Sequence, residues 1–144
     1  MDLSGTRTIA ASPQAVWDTL RNPSALQKAI PGAEEVTWLD DNTMKVRLNV
    51  GVGPLKGTGT LRIQVAEATP PSHMKLVVNR NDERSSVDGS LTVDLAADGA
   101  GTKLTYKGAV TLGGMLAAMD NPLTGPIVGQ QVNHFFDKLA QEAH

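Results

Sequence analysis

Cysteine is absent from the 144 residues, which excludes disulfides, thiolate nucleophiles, cysteine-held iron–sulfur clusters and cysteine zinc sites together. Aromatic residues make up only 3%, so the interior must be built mainly from aliphatic groups. Lysine and arginine are scattered among acids, and a formal net charge of -2 with a pI near 5.9 offers no basic footprint for phosphate backbones. Nucleic acid is therefore not an expected partner. No stretch approaches the roughly twenty apolar residues of a membrane span, and residues 1–7 lack the apolar core of a signal peptide. These absences fit a cytoplasmic protein that needs no disulfide, metal or resident cofactor.

What is present is an ordinary globular composition. With 40% hydrophobic and 19% charged residues, the chain suits one domain over 1–144. It is long enough to bury about two-thirds of its unfolded surface and too short for two such cores.

The hydrophobic period changes along the chain in an ordered way. Residues 3–10 alternate as a strand, and Ser12-Pro13 supplies a cap and a first helical position for a helix to Leu20 that aligns Val16, Trp17 and Leu20. Asn22-Pro23 repeats the signal for a second short helix through Ile30, closed by Pro31-Gly32. From there to about residue 112 the period is two: Val46, Leu48, Val50 and Val52, then Leu61, Ile63 and Val65, then Met74 to Val78, Val87 to Leu95, and Leu104 to Leu112. Asp40-Asp41-Asn42, Gly53-Pro54 and Thr69-Pro70-Pro71-Ser72 punctuate these runs, and such short links predict an antiparallel meander. Beyond Gly125-Pro126 a helical period returns, with Val128, Val132, Phe135, Phe136, Leu139 and Ala143 on one arc.

Chemical constellations are sparse. The sequence has three histidines; His73 in a proline-rich turn, His134 on the polar side of the last helix and His144 at the end are all expected to be solvated. No HExxH, EF-hand loop or Gly-x-Ser-x-Gly elbow occurs. Gly51 to Gly59 looks like a phosphate loop, but its spacing is wrong and it joins two strands instead of opening a helix, so a hairpin is expected. The charged run 79–86 reads as a solvated turn, unless Arg80, Asp82, Glu83 or Arg84 faces inward to orient a ligand or act as acid and base.

Several local motifs fall in a recognisable order: Ala-Ser-Pro-Gln-Ala-Val-Trp at 11–17, Ile-Pro-Gly-Ala at 30–33 and Val-Gly-Pro-Leu-Lys-Gly at 52–57, followed by Gly-Thr-Lys-Leu-Thr-Tyr at 101–106, Gly-Gly-Met-Leu-Ala at 113–117 and Phe-Phe at 135–136. Together they resemble the carbon monoxide dehydrogenase G-subunit family of the SRPBCC, or START-like, superfamily. The resemblance implies an α+β helix-grip fold: a curved antiparallel sheet of about seven strands around a long C-terminal helix, with two short helices after the first strand. It also implies an accessory protein for a molybdenum hydroxylase such as carbon monoxide dehydrogenase, binding a quinone-like or lipid-like molecule and helping to couple the enzyme to a membrane. The membrane tether found in many members is not expected here, so any such contact would be peripheral.

From the residues alone a packed core and a hollow one both remain open; the resemblance points to the hollow one. Trp17, Leu91, Val93, Tyr106, Met115, Met119, Val132 and Phe136 are the expected liners of an apolar cavity. Tyr106 is either a polar anchor for a ligand or a core tyrosine bonded to backbone. The stretch from Met115 to Ile127, rich in adaptable apolar side chains and broken by Pro122 and Pro126, is either a lid or a plain connector, and exposed it would suit a partner or membrane surface. The expected function is non-enzymatic binding. The alternatives are a cyclase-like enzyme using a pocket acid such as Asp82 or Glu83, and a protein–protein interaction module.

Overall fold

In the computed structural model, the Ser-Pro and Asn-Pro signals open helices as their spacing predicts. The described residues are 2–30, 32–52, 55–81, 85–114 and 125–143, with side chains described except at 50–52, 55–58, 81, 85, 114 and 125–128. Ser12 Oγ accepts the Ala15 N–H at 3.2 Å at the start of α1 (Pro13–Leu20). Asn22 Oδ1 accepts from Ser24 and Ala25 at 3.0 and 3.3 Å at the start of α2 (Pro23–Ala29). Each cap satisfies amides that the first helical turn leaves without partners, and each proline occupies a position where no N–H is needed.

The strands are β1 (Asp2–Ile9), β2 (Ala33–Trp38), β3 (Thr43–Val52), β4 (Leu55–Thr69), β5 (His73–Asn81), β6 (Ser85–Asp98) and β7 (Gly101–Gly114), and the chain closes with α3 (Gly125–Glu142). They form one seven-stranded antiparallel sheet in the order β1-β7-β6-β5-β4-β3-β2. Strands β2 to β7 are a meander, and β1 adds to the far side of β7, leaving β1 and β2 as edges. This is the helix-grip architecture that the family resemblance implies, built on the antiparallel meander that the short links predict. The glycine-rich stretch from Gly51 joins β3 to β4 as the expected hairpin, with Gly51 opposite Lys56 and Val52 opposite Leu55.

Two devices bend the sheet. The register shifts between Ala33 and Glu35 and between Val65 and Glu67, where an extra residue turns the strand. At Gly108, a Cβ would fall 2.2 Å from the Ser90 carbonyl oxygen of β6, so the missing side chain lets the two backbones approach.

The concave face packs on α3. Val46, Met74, Val93, Leu104 and Tyr106 project inward, and from α3 Phe136 and Leu139 reach full burial at 1% and 0% exposure. Removing the Phe136 ring would cost about 3–5 kcal/mol by the usual cost of large core truncations. The helices α1 and α2 close one end, with Val16, Trp17, Leu26 and Ala29 in the same apolar cluster. Lys28 of α2 and Glu142 of α3 approach to 3.8 Å at the surface. Thr102, fully buried at the start of β7, donates to the Ala11 carbonyl at 2.6 Å and ties the sheet to the chain entering α1.

Candidate functional site: an apolar cavity under the sheet

Antiparallel pairing sets Met74 opposite Val93 and Leu76 opposite Leu91, which places four inward side chains of β5 and β6 in one patch. Ile63 and Val65 of β4, Met44 of β3 and Trp38 of β2 continue it along the sheet. Leu20, Leu26 and Ile30 come from the α1–α2 end, and Phe135 and Phe136 from α3. These groups surround a cavity of about 60 Å³ with an almost wholly apolar lining. That volume would hold several waters, each needing about 10–15 Å³, yet the walls offer water almost no hydrogen bonds, so the space favours apolar contents.

Arg21 is the charged residue among the described liners. Its guanidinium sits 4.7 Å from the centre of the Trp38 ring and donates to the Asp41 carbonyl at 2.8 Å. Trp38 in turn donates its indole N–H to the Arg21 carbonyl at 2.9 Å. The pair joins the end of α1 to the β2–β3 hairpin at the rim, with the arginine charge stacked on an aromatic face. Among the described residues no carboxylate or histidine lines the cavity.

The residues singled out in the sequence fall in several places. Leu91, Val93 and Phe136 line this cavity. Trp17 is 5% exposed in the core cluster and lines neither described hollow. Tyr106 and Val132 line a different hollow, a cleft of about 380 Å³ between β1 and α3. Met115, Met119 and the lid region through Leu123 lie outside the described residues, as do Asp82, Glu83, Arg84 and the side chain of Ile127. Arg80 lies across Gly59 of β4, where a Cβ would meet its guanidinium at 2.7 Å. Trp38, Met44, Ile63 and the helix residues Leu20, Leu26 and Ile30 were not singled out. The spacing predicts Leu20 and Ile63 on the apolar face of their elements, whereas Trp38 and Met44 fall outside the alternating runs read from the sequence.

Tyr106 is 5% exposed, and its ring stacks on Phe136 at 4.7 Å between centroids with an interplanar angle of 21°. Its cross-strand neighbour is Gly5, where a Cβ would come within 2.6 Å of the phenol oxygen. Nearby, Arg7 of β1 bonds the Asn133 amide oxygen at 3.5 Å and forms an ion pair with Asp137 of α3.

His73 is partly exposed, in line with a solvated ring, and in addition meets two carboxylates. The β5–β6 register sets it opposite Asp94, whose carboxylate lies 2.7 Å from Nδ1, and Glu67 Oε2 lies 3.2 Å from Nε2. The hydrogen bond to Asp94, and after it that to Glu67, raises the imidazole pKa above its ordinary value. Among the described residues no cluster of histidine and acidic groups is arranged to hold a metal ion, and no helix is long and apolar enough to cross a membrane.

Comparison with known proteins agrees with this geometry. The family model for the G subunit of carbon monoxide dehydrogenase (CoxG) matches residues 5–144. The structure is similar to a conserved protein from Geobacillus kaustophilus at 28% identity and a TM-score of 0.89, covering 99% of this chain and 94% of that one. It also resembles a START superfamily protein from Mycobacterium smegmatis at 14% identity and a TM-score of 0.68, over 98% and 92% of the two chains. A Thermus thermophilus protein matches at 12% identity and a TM-score of 0.74, over 99% and 96%. No curated protein matches the chain.

Proposed function

Because the chain belongs to the CoxG family of carbon monoxide dehydrogenase and has the START-like fold, we propose that it is a non-enzymatic accessory protein holding an apolar small molecule, quinone-like or lipid-like, in the cavity under the sheet. The enzyme it serves would be a molybdenum hydroxylase of the carbon monoxide dehydrogenase kind. The observation that carries this reading is a hollow whose described walls are aliphatic and aromatic from every side, with Arg21 as their charged residue at the rim. Burying apolar ligand surface there is worth roughly 25 cal/mol per Å² before ordering costs.

The cavity of about 60 Å³ admits part of an alkyl chain as it stands. A ring enters as Met44 and Met74, both almost fully buried, change rotamer, which unbranched thioether chains do at low cost. Release to a partner then needs only the reverse motion, since few polar bonds must break.

Native mass spectrometry of gently purified protein, with an alkylquinone and a fatty acid as added probes, tests the proposal. A stoichiometric adduct is expected, displaced by neither salt nor phosphate. Bare protein mass at saturating concentrations of both probes would refute it.

A further inference from the structure

The cleft between β1 and α3 shares no lining residue with the interior cavity, and its chemistry is different. At its base is Tyr106, 5% exposed and held by its stack on Phe136. Buried tyrosines normally place the hydroxyl on a hydrogen-bond partner. Among the described residues no hydrogen bond to this hydroxyl is seen and no buried polar side-chain atom is left unsatisfied; Tyr106 lines the cleft, which is where its hydroxyl can find a partner. Gly5, where a Cβ would come 2.6 Å from that oxygen, leaves the hydroxyl room.

The remaining walls narrow the ligand class. Arg7 is answered by Asp137 and by the Asn133 carbonyl oxygen, and Asp2 stands at the end of the cleft, so no net positive charge favours an anion. Asn133 spends its acceptor on Arg7 and keeps its amide N–H groups as donors, so the free polar groups lean toward donation. Leu3 and Val132 supply apolar wall. On α3, a Cβ at Gly129 would meet nothing within 4 Å, so the helix leaves the space unfilled. The volume of about 380 Å³ is that of a small-molecule site.

We infer that this cleft is a second ligand site, taking a neutral small molecule with a carbonyl oxygen beside an apolar group, the Tyr106 hydroxyl donating to that oxygen and Asn133 Nδ2 giving a second donor. The site does not rest on the cavity reading and stands whether or not the interior holds a ligand.

Amide NMR titration with acetophenone, and with ethylbenzene as its match lacking the acceptor, tests it on the whole chain. Acetophenone is expected to shift Gly5 and Gly129, with ethylbenzene at least tenfold weaker. Tyr106→Phe keeps the ring and removes the donor, and should weaken acetophenone about tenfold. Gly129→Leu puts a side chain into the open space and should abolish the shifts. Equal affinity in Y106F, or shifts confined to Leu91 and Val93 with Gly5 and Gly129 unmoved, would overturn the site. Because the cavity reports through Leu91 and Val93 and the cleft through Gly5 and Gly129, the two readings fail separately.

Discussion

Val93→Ile adds one methylene to a side chain that is 1% exposed, lies between Met74 and Tyr106 in the sheet, and faces the cavity. In a solidly packed core such a change overpacks and costs about 1–3 kcal/mol. Here unfilled space is available. At about 24 cal/mol per Å³ of residual cavity, a hollow of about 60 Å³ costs the empty protein about 1.4 kcal/mol. One buried methylene is worth about 0.8 kcal/mol, and isoleucine keeps the strand preference of valine. The variant should therefore be more stable by about 0.5–1 kcal/mol, seen as a higher urea midpoint at unchanged slope. It should also bind an alkylquinone several-fold more weakly, because the same space is now filled. Destabilisation by 1 kcal/mol or more would mean that Val93 faces a filled interior, and the reasoning from the cavity would fail with it.

The ion-paired imidazole makes stability pH-dependent. His73 is raised above the usual value near 6.5 by Asp94 and Glu67, so its contribution is fully present below that value and is lost as pH rises through the folded-state pKa; His73→Gln should flatten that part of the urea-midpoint profile, and an unshifted imidazole titration by NMR would contradict it. Thr102→Val removes a fully buried donor to the Ala11 carbonyl, a bond of 2.6 Å, and should lower stability by about 1–2 kcal/mol in denaturant titration. Gly5→Ala forces a Cβ against Tyr106, 2.6 Å from its hydroxyl, and should cost about 1–3 kcal/mol with a changed tyrosine near-UV circular dichroism signal; an unchanged signal would show that the ring does not lie over β1.

The elements were legible because each has a local cause. Ser12 and Asn22 cap amides two or three positions away, the alternation from Val46 to Asn49 and from Leu104 to Leu112 follows the pleat, and Phe136 and Leu139 lie at helical spacing on the buried side of α3. Of the site, Leu91, Val93 and Phe136 were identifiable as inward groups near the gripped helix. Trp38 and Arg21 were not, because their contact spans seventeen positions and depends on where the β2–β3 hairpin meets the end of α1. The carboxylate partners of His73 were not legible for the same reason: Asp94 is supplied by cross-strand register, which no local pattern states.

Local spacing by itself determined which residues are helical, which are strand and which side of each is apolar, since propensity, capping and pleat act within a few residues. Only the tertiary structure decided that the inward groups fail to fill the space under the sheet. It alone placed Trp17 in the core cluster and set the buried ring of Tyr106 against both Phe136 and the cleft between β1 and α3. Void volume and cross-strand partners arise from the curvature of the whole sheet against α3, a sum over distant contacts that no single segment contains.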